Sequence, residues 1–184
     1  MFLHDLPTNS LTFAITAHAA VNHLRKYTFD PYSVHLVRVA ALTRRFSNGD
    51  PILEAAANTH DYREDVVKMA KRLGLPKWTD ELLLESFGPV VYDLVTELTD
   101  VYTVDNFPDW NRARRKSAEA DRLADVSDGA KLIKLCDLFD NSSDIAINDP
   151  KFAVTYFKEK REILDRMGGG PPELRALVES AIPS

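Results

Sequence analysis

The chain has 184 residues and a formal charge of −5 at pH 7, from 23 Lys+Arg against 28 Asp+Glu, which is the size of one globular domain and an acidic balance that argues against gripping a nucleic-acid backbone. A 45% hydrophobic share excludes intrinsic disorder. The single Cys136 excludes an internal disulfide and has no zinc-type spacing around it; no signal-peptide pattern or membrane-length apolar run is visible, so a cytoplasmic protein with no membrane partner is expected.

Glycine and proline are sparse, at 7 and 10 residues, and fall where helices start or stop, so the chain reads as all-α. A first helix is expected over about 11–26, with Leu11, Ile15, Ala19 and Leu24 inward. Asp30 before Pro31 and Asp50 before Pro51 each offer an N-cap acceptor ahead of a proline at the first helical position, which predicts helices over 31–46 and from 51 onward. The former carries Val34, Leu36, Val37, Val39, Ala40, Ala41 and Leu42, apolar on enough sides to suit the middle of a bundle. Gly74 with Pro76, Gly88 with Pro89 and the run Gly168 to Pro172 divide the remainder into helices near 79–87, 89–99, 108–124, 150–167 and 172–181. Another begins near Ser127 or Asp128 and repeats Leu132, Ile133, Leu135, Leu138 and Phe139. The triple glycine reads as a hinge or loose link, not a phosphate loop, since no strand precedes it and no GK[ST] follows.

His35, the pair His60-Asp61, and Asp137 are metal-ligand types on three expected helices. Imidazoles mixed with carboxylates suit a divalent ion with open positions, and hence hydrolysis. Each also has a structural reading: a satisfied core histidine, a loop carboxylate, a surface acid beside Lys134. The context of Asp137 favours a role, because it stands in the apolar stripe Leu132 to Phe139, and a buried carboxylate needs a metal or a cationic partner. Cys136 beside it reads as a small core residue. If the helix continues past Asp61, Glu64 lies four residues from His60 and Asp65 four from Asp61, on one face. That pair can orient water and move its proton, or simply be a solvated acidic face balanced by Arg63 and Lys68. Arg25-Lys26 and the cluster Arg112, Arg114, Arg115, Lys116 are candidate phosphate binders; for the second, Glu119 and Asp121 also allow a salt-bridged helix surface.

These residues fall in strings that resemble the hydrolase domain of RelA/SpoT-type enzymes, including the stand-alone small alarmone hydrolases, within the wider HD-domain phosphohydrolases. THDYRED (Thr59 to Asp65) resembles the HDxxED signature. DPYSVHLVRVA (Asp30 to Ala40), SFG (Ser86 to Gly88), ELTD (Glu97 to Asp100) and GAKLIKLCDLFDN (Gly129 to Asn141) follow in the family's order. The resemblance implies a single HD-type helical bundle of about 8–10 helices over residues 1–184, with a core at about 12–157 and C-terminal helices at 158–184. No synthetase domain fits beside it.

By the same resemblance, His35, His60, Asp61 and Asp137 are metal ligands, with Mn²⁺ the usual ion and other divalent metals allowed, and Glu64 and Asp65 activate water. Arg25, Lys26, Arg112, Asn141 and Tyr156 fall on substrate-binding positions. The implied reaction removes the 3′-pyrophosphate from (p)ppGpp or its adenosine equivalent (p)ppApp. The other readings are an HD-type nucleotidase and a non-catalytic alarmone-binding module. Leu36, Ala20 and the pair Asn58-Thr59 depart from the family's proline, histidine and small apolar residues, and Asp144 stands where a threonine near the base is common. No motif specifies an oligomeric state.

Overall fold

The computed structural model describes residues 5–182, and among them every regular element is helical apart from an isolated bridge between Leu24 and Pro31. The chain divides into two compact units, one through Thr99 and one from Asp100.

The first unit holds α1 (Leu6–Ala20), α2 (Ser33–Phe46), α3 (Pro51–Thr59), a π-helical segment (Tyr62–Val67), α4 (Lys68–Leu73) and α5 (Asp80–Leu98). Asp50 caps α3 as expected, its carboxylate accepting from the N–H groups of Ile52 and Leu53 at 2.8 and 3.2 Å, with Pro51 in the first turn. Ala55, Ala56 and Ala57 are all fully buried, and these small side chains let α3 run against α1, α2 and α5 together. Phe13 closes the far side by meeting Tyr62, Trp78 and Phe87 at ring-centroid distances of 5.0, 5.8 and 5.1 Å. The expected break at Gly88-Pro89 is a kink within α5, where Gly88 takes φ 80°.

Three local expectations are corrected. α1 ends at Ala20, not near 26, and buries Leu6, Ala14, Ala17 and His18; Ile15 and Leu24 are exposed. Close approach to α3 selects small residues for that face, and a count of large apolar residues does not find them. Asp30 caps nothing: its carbonyl accepts from Arg25 N–H at 2.8 Å, the bridge from Leu24 reaches Pro31, and α2 starts only at Ser33. α2 buries Leu36, Val39 and Ala40 and leaves Val37 exposed, so it has one inward face.

The second unit holds α6 (Arg112–Ala124), α7 (Asp128–Asn148), α8 (Pro150–Met167) and α9 (Pro172–Ala181). Ser127 caps α7 and Asp149 caps α8 through their side chains. α7 is the central rod, with Leu132, Ile133, Leu135, Cys136 and Leu138 buried, and it packs against α8 and α9. Glu119 is buried on α6, where one carboxylate oxygen accepts from the N–H groups of Val101 and Tyr102 at 3.0 Å each and the other pairs with Arg122. The triple glycine is no loose link: a Cβ on Gly170 would collide with Leu135, and Leu174 and Val178 of α9 are fully buried.

Candidate active site

The first unit brings three metal-ligand atoms together where α2 faces the end of α3. His35 Nε2 lies 3.2 Å from His60 Nε2, and Asp61 Oδ2 lies 3.4 Å from the first and 3.0 Å from the second. Both histidines are buried. His60 Nδ1 is 2.8 Å from the carbonyl of Ala57, a contact that puts the ring proton on Nδ1 and the lone pair on Nε2, toward the cluster. Such spacing suits donors sharing one cation at ~2.1 Å from nitrogen, and nitrogen with carboxylate oxygen suits a divalent transition ion. Burial opposes ionisation of Asp61, but His60 and His35 outweigh it and hold its carboxyl well below the usual range.

Sequence reasoning missed the support around this triangle. Tyr32 O–H donates to Asp61 Oδ2 at 2.6 Å, fixing the carboxylate that faces the histidines. The Tyr32 ring stacks on His23 and His18 at 3.8 and 4.9 Å between centroids, and the two histidines meet Nδ1 to Nδ1 at 2.9 Å. Burial lowers the His18 pKa to about 3, so the ring is neutral. The legible signal was Tyr32 three residues ahead of His35, one helical turn away.

Glu64 and Asp65 stand on the π-helical segment, so the α-helical path assumed for them does not continue; the helix widens immediately after His60-Asp61. Burial and the carboxylates of Asp61 and Glu64 push the Asp65 pKa up to about 8. Asp65 therefore holds a proton near neutrality in the metal-free chain. Its Oδ2 is 3.7 Å from His23 Nδ1. Arg63, between the two motif halves, is turned away into a fork on Asp80 at 2.9 and 3.0 Å. Arg25 is buried in the loop after α1, and Lys26 is exposed beside Tyr27.

In the second unit Asp137 is 6% exposed and bonded at both oxygens, by Asn141 Nδ2 at 2.6 Å and Lys134 Nζ at 2.9 Å. The expected basic cluster disperses. Arg112 forks onto Glu159 at 2.6 and 2.8 Å, Arg114 lies over Trp110, Arg115 donates to the Trp110 carbonyl, and Lys116 binds Asp100 at 2.9 Å. Arg112 is thus committed to a carboxylate and not presented alone to a phosphate. Tyr156 is half-buried, its ring face carrying Lys160 Nζ 4.9 Å from the centroid.

The helical fold and the paired-histidine site are similar to those of a solved hydrolase of the HD type. No family model matches the chain. It resembles the stand-alone ppGpp hydrolases: it is 29% identical over 165 residues to guanosine-3′,5′-bis(diphosphate) 3′-pyrophosphohydrolase MESH1 of Drosophila melanogaster, covering 83% of this chain and 82% of that protein. It also matches the solved structure of a metazoan ortholog of SpoT, described as hydrolysing ppGpp and playing a role in starvation responses. That match has a TM-score of 0.77 and 26% identity over 96% of this chain and 93% of the other.

Proposed function

We propose that this chain, as one catalytic domain over residues 1–184, removes pyrophosphate from the 3′ position of ppGpp, giving GDP and pyrophosphate. The observation that carries the reading is the triangle of His35 Nε2, His60 Nε2 and Asp61 Oδ2, followed directly by Glu64-Asp65, in a chain similar to two ppGpp hydrolases. The resemblance of the motif series adds Asp137 as a fourth ligand and Mn²⁺ as the ion, while the donors themselves suit a divalent transition ion. Such an ion supplies Lewis acidity that lowers the pKa of water by several units.

A cation beside Asp61 would offset the neighbouring carboxylates that keep Asp65 protonated, and Asp65 as a carboxylate would then take a proton from the attacking water while Glu64 orients it. Oxygen–phosphorus bond formation at the 3′-linked phosphorus is matched by cleavage of the bond to the ribose 3′-oxygen, which is protonated as pyrophosphate leaves. Arg25 and Lys26 serve the nucleotide's phosphates and Asn141 and Tyr156 the nucleoside; Arg112, held by Glu159, serves a phosphate on release from that pair. Asp144 leaves the base open, so ppApp is the competing substrate. A single cysteine, the buried Cys136, accords with a cytoplasmic setting.

The test is incubation of metal-stripped protein with ppGpp and with ppApp, with and without Mn²⁺, resolving pyrophosphate from orthophosphate by ion-exchange chromatography. Mn²⁺-dependent pyrophosphate release is expected, and the doubly substituted E64Q/D65N chain should lose roughly 10²- to 10⁴-fold in kcat. Orthophosphate release from nucleoside monophosphates, with neither alarmone consumed, would overturn the reading in favour of a nucleotidase.

A further inference from the structure

Within the second unit α8 packs on α6 and α7 and buries Ala153, Phe157, Ile163, Leu164 and Met167. Lys151, Val154, Lys158, Arg161 and Asp165 follow one another at spacings of three and four residues, so they form one stripe along the helix. All but the half-buried Arg161 are exposed. Val154, at 73%, is with Ile147 and Phe29 among the most exposed large apolar side chains described. The stripe borders a groove of about 1110 Å³ lined by Ala113, Ala146, Ala153 and Phe157 as well as by charged side chains of α6 and α8.

Two charges on the stripe have no mate. Among the described residues, neither Lys158 Nζ nor the Asp165 carboxylate makes a hydrogen bond or ion pair. Each has an opposite charge four residues away on its own helix, a spacing that ordinarily pairs, but both candidates are taken: Glu162 accepts from Arg166 at 2.5 Å, and Arg161 donates to the carbonyl of Ile182 at 2.9 Å. Lys158 and Asp165 are two turns apart, about 10.5 Å along the axis, too far to reach each other. Their order carries a symmetry. Turning the helix end over end about a point between Arg161 and Glu162 exchanges Lys158 with Asp165, a cation for an anion. The same operation carries Val154 to the residues just past the helix end, Gly168 and Gly169. A Cβ added at Gly168 would meet nothing within 4 Å, so the backbone there is open to an apolar side chain.

We infer that this stripe is the contact face of a homodimer, in which α8 lies antiparallel to its copy across a two-fold axis between Arg161 and Glu162. In such an isologous interface every contact occurs twice. Lys158 meets Asp165 of the partner subunit, Asp165 meets the partner's Lys158, and Val154 packs on Gly168 and Gly169 of the partner subunit. A stripe whose charges complement its own reversed copy selects a second copy of this chain over an unrelated acidic or basic partner. The 18 residues of α8 extend about 27 Å, which gives an interface at the low end of the standard size and association in the micromolar range. The inference does not depend on the hydrolase reading, because neither charge belongs to the residues assigned to that chemistry.

The experiment is sedimentation velocity on the full chain from about 1 to 100 µM, for wild type, K158D, D165K and the exchanged pair K158D/D165K. Both positions are exposed, and an unchanged circular dichroism spectrum checks each fold. The wild type should pass from monomer to dimer over that range. Each single reversal sets like charges opposite each other at two places and should raise the dissociation constant by about tenfold or more. The exchanged pair re-forms both contacts and should return it to within about threefold of wild type. General weakening of α8 would not be repaired by a second substitution, so the exchange separates contact from helix stability. A wild type that stays monomeric throughout overturns the inference. So does a dimer that the single reversals leave intact, which would place the interface elsewhere, or an exchanged pair no tighter than either single variant.

Discussion

Tyr32 reaches Asp61 with a 2.6 Å hydrogen bond while its ring is clamped against His23 and His18, so it sets which way the Asp61 oxygen beside the two histidines points. Hydrogen bonds to metal-binding carboxylates and histidines are worth roughly 10- to 100-fold in metal affinity or activity when removed. Tyr32→Phe keeps the ring stack and deletes only the hydroxyl. It should raise the Mn²⁺ concentration needed for half-maximal activity by about tenfold while leaving KM for the nucleotide at saturating metal nearly unchanged. An unchanged Mn²⁺ titration would show that the hydroxyl does not orient Asp61. Asn58 and Thr59, departures from the family pattern, have local explanations at this scale. Asn58 Nδ2 donates to the carbonyl of Pro7 and to Ser10 Oγ at 3.1 and 3.0 Å, and Thr59 Oγ1 to the carbonyl of Ala55 at 2.9 Å. Thr59 Oγ1 and Asn58 Nδ2 thus have partners while the buried Asn58 Oδ1 has none, and Asn58 ties α3 to α1.

Among the helices, the second unit's last connection shows how little space separates elements. The three glycines before α9 all have positive φ, and Gly170 at 78° has the Leu135 side chain where a Cβ would lie. Gly170→Ala therefore meets both a backbone penalty of roughly 1–2 kcal/mol and a clash in a packed core costing about 1–3 kcal/mol. Its Tm should fall by several degrees, whereas Gly168→Ala, strained at φ 59° but open at that point, should fall by less. A scanning-calorimetry comparison of the two reads the difference, and equal losses would show that Leu135 yields freely. The caps at Asp50 and Ser127 and the break at Gly88-Pro89 were legible in the sequence because each depends on side-chain or φ chemistry confined to a few neighbouring residues. The contiguous string Thr59 to Asp65 was legible for the same reason. The widening of the helix under Glu64-Asp65, the small-residue face of α1 and the stack around Tyr32 were not, since each is decided by what another helix presents.

At the scale of the whole molecule, a net charge of −5 coexists with a buried histidine pair, which links folding stability to pH. His18 is 1% exposed and its Nε2 has no hydrogen-bond partner; burial lowers its pKa from 6.5 to about 3. The folded state thus resists a proton that the unfolded chain accepts below about pH 6.5. The resulting stability is fully present above the unfolded value and is lost as pH falls from 6.5 toward about 3. His23 is lowered by burial as well and acts in the same direction. A divalent ion held by His35, His60 and Asp61 would strengthen the effect, because protonation of those imidazoles would have to displace it. Between pH 7 and 5.5 the His18 contribution alone is about 1 kcal/mol. The urea midpoint should therefore fall over that range in wild type, and the fall should be visibly shallower in His18→Leu, which substitutes an apolar side chain at a buried position. Adding Mn²⁺ should raise the midpoint at pH 7.5 by more than at pH 5.5. If His18→Leu has the wild-type slope, the acid sensitivity lies in other groups, His23 and the carboxylates among them, and His18 is a packing residue with no part in the pH response.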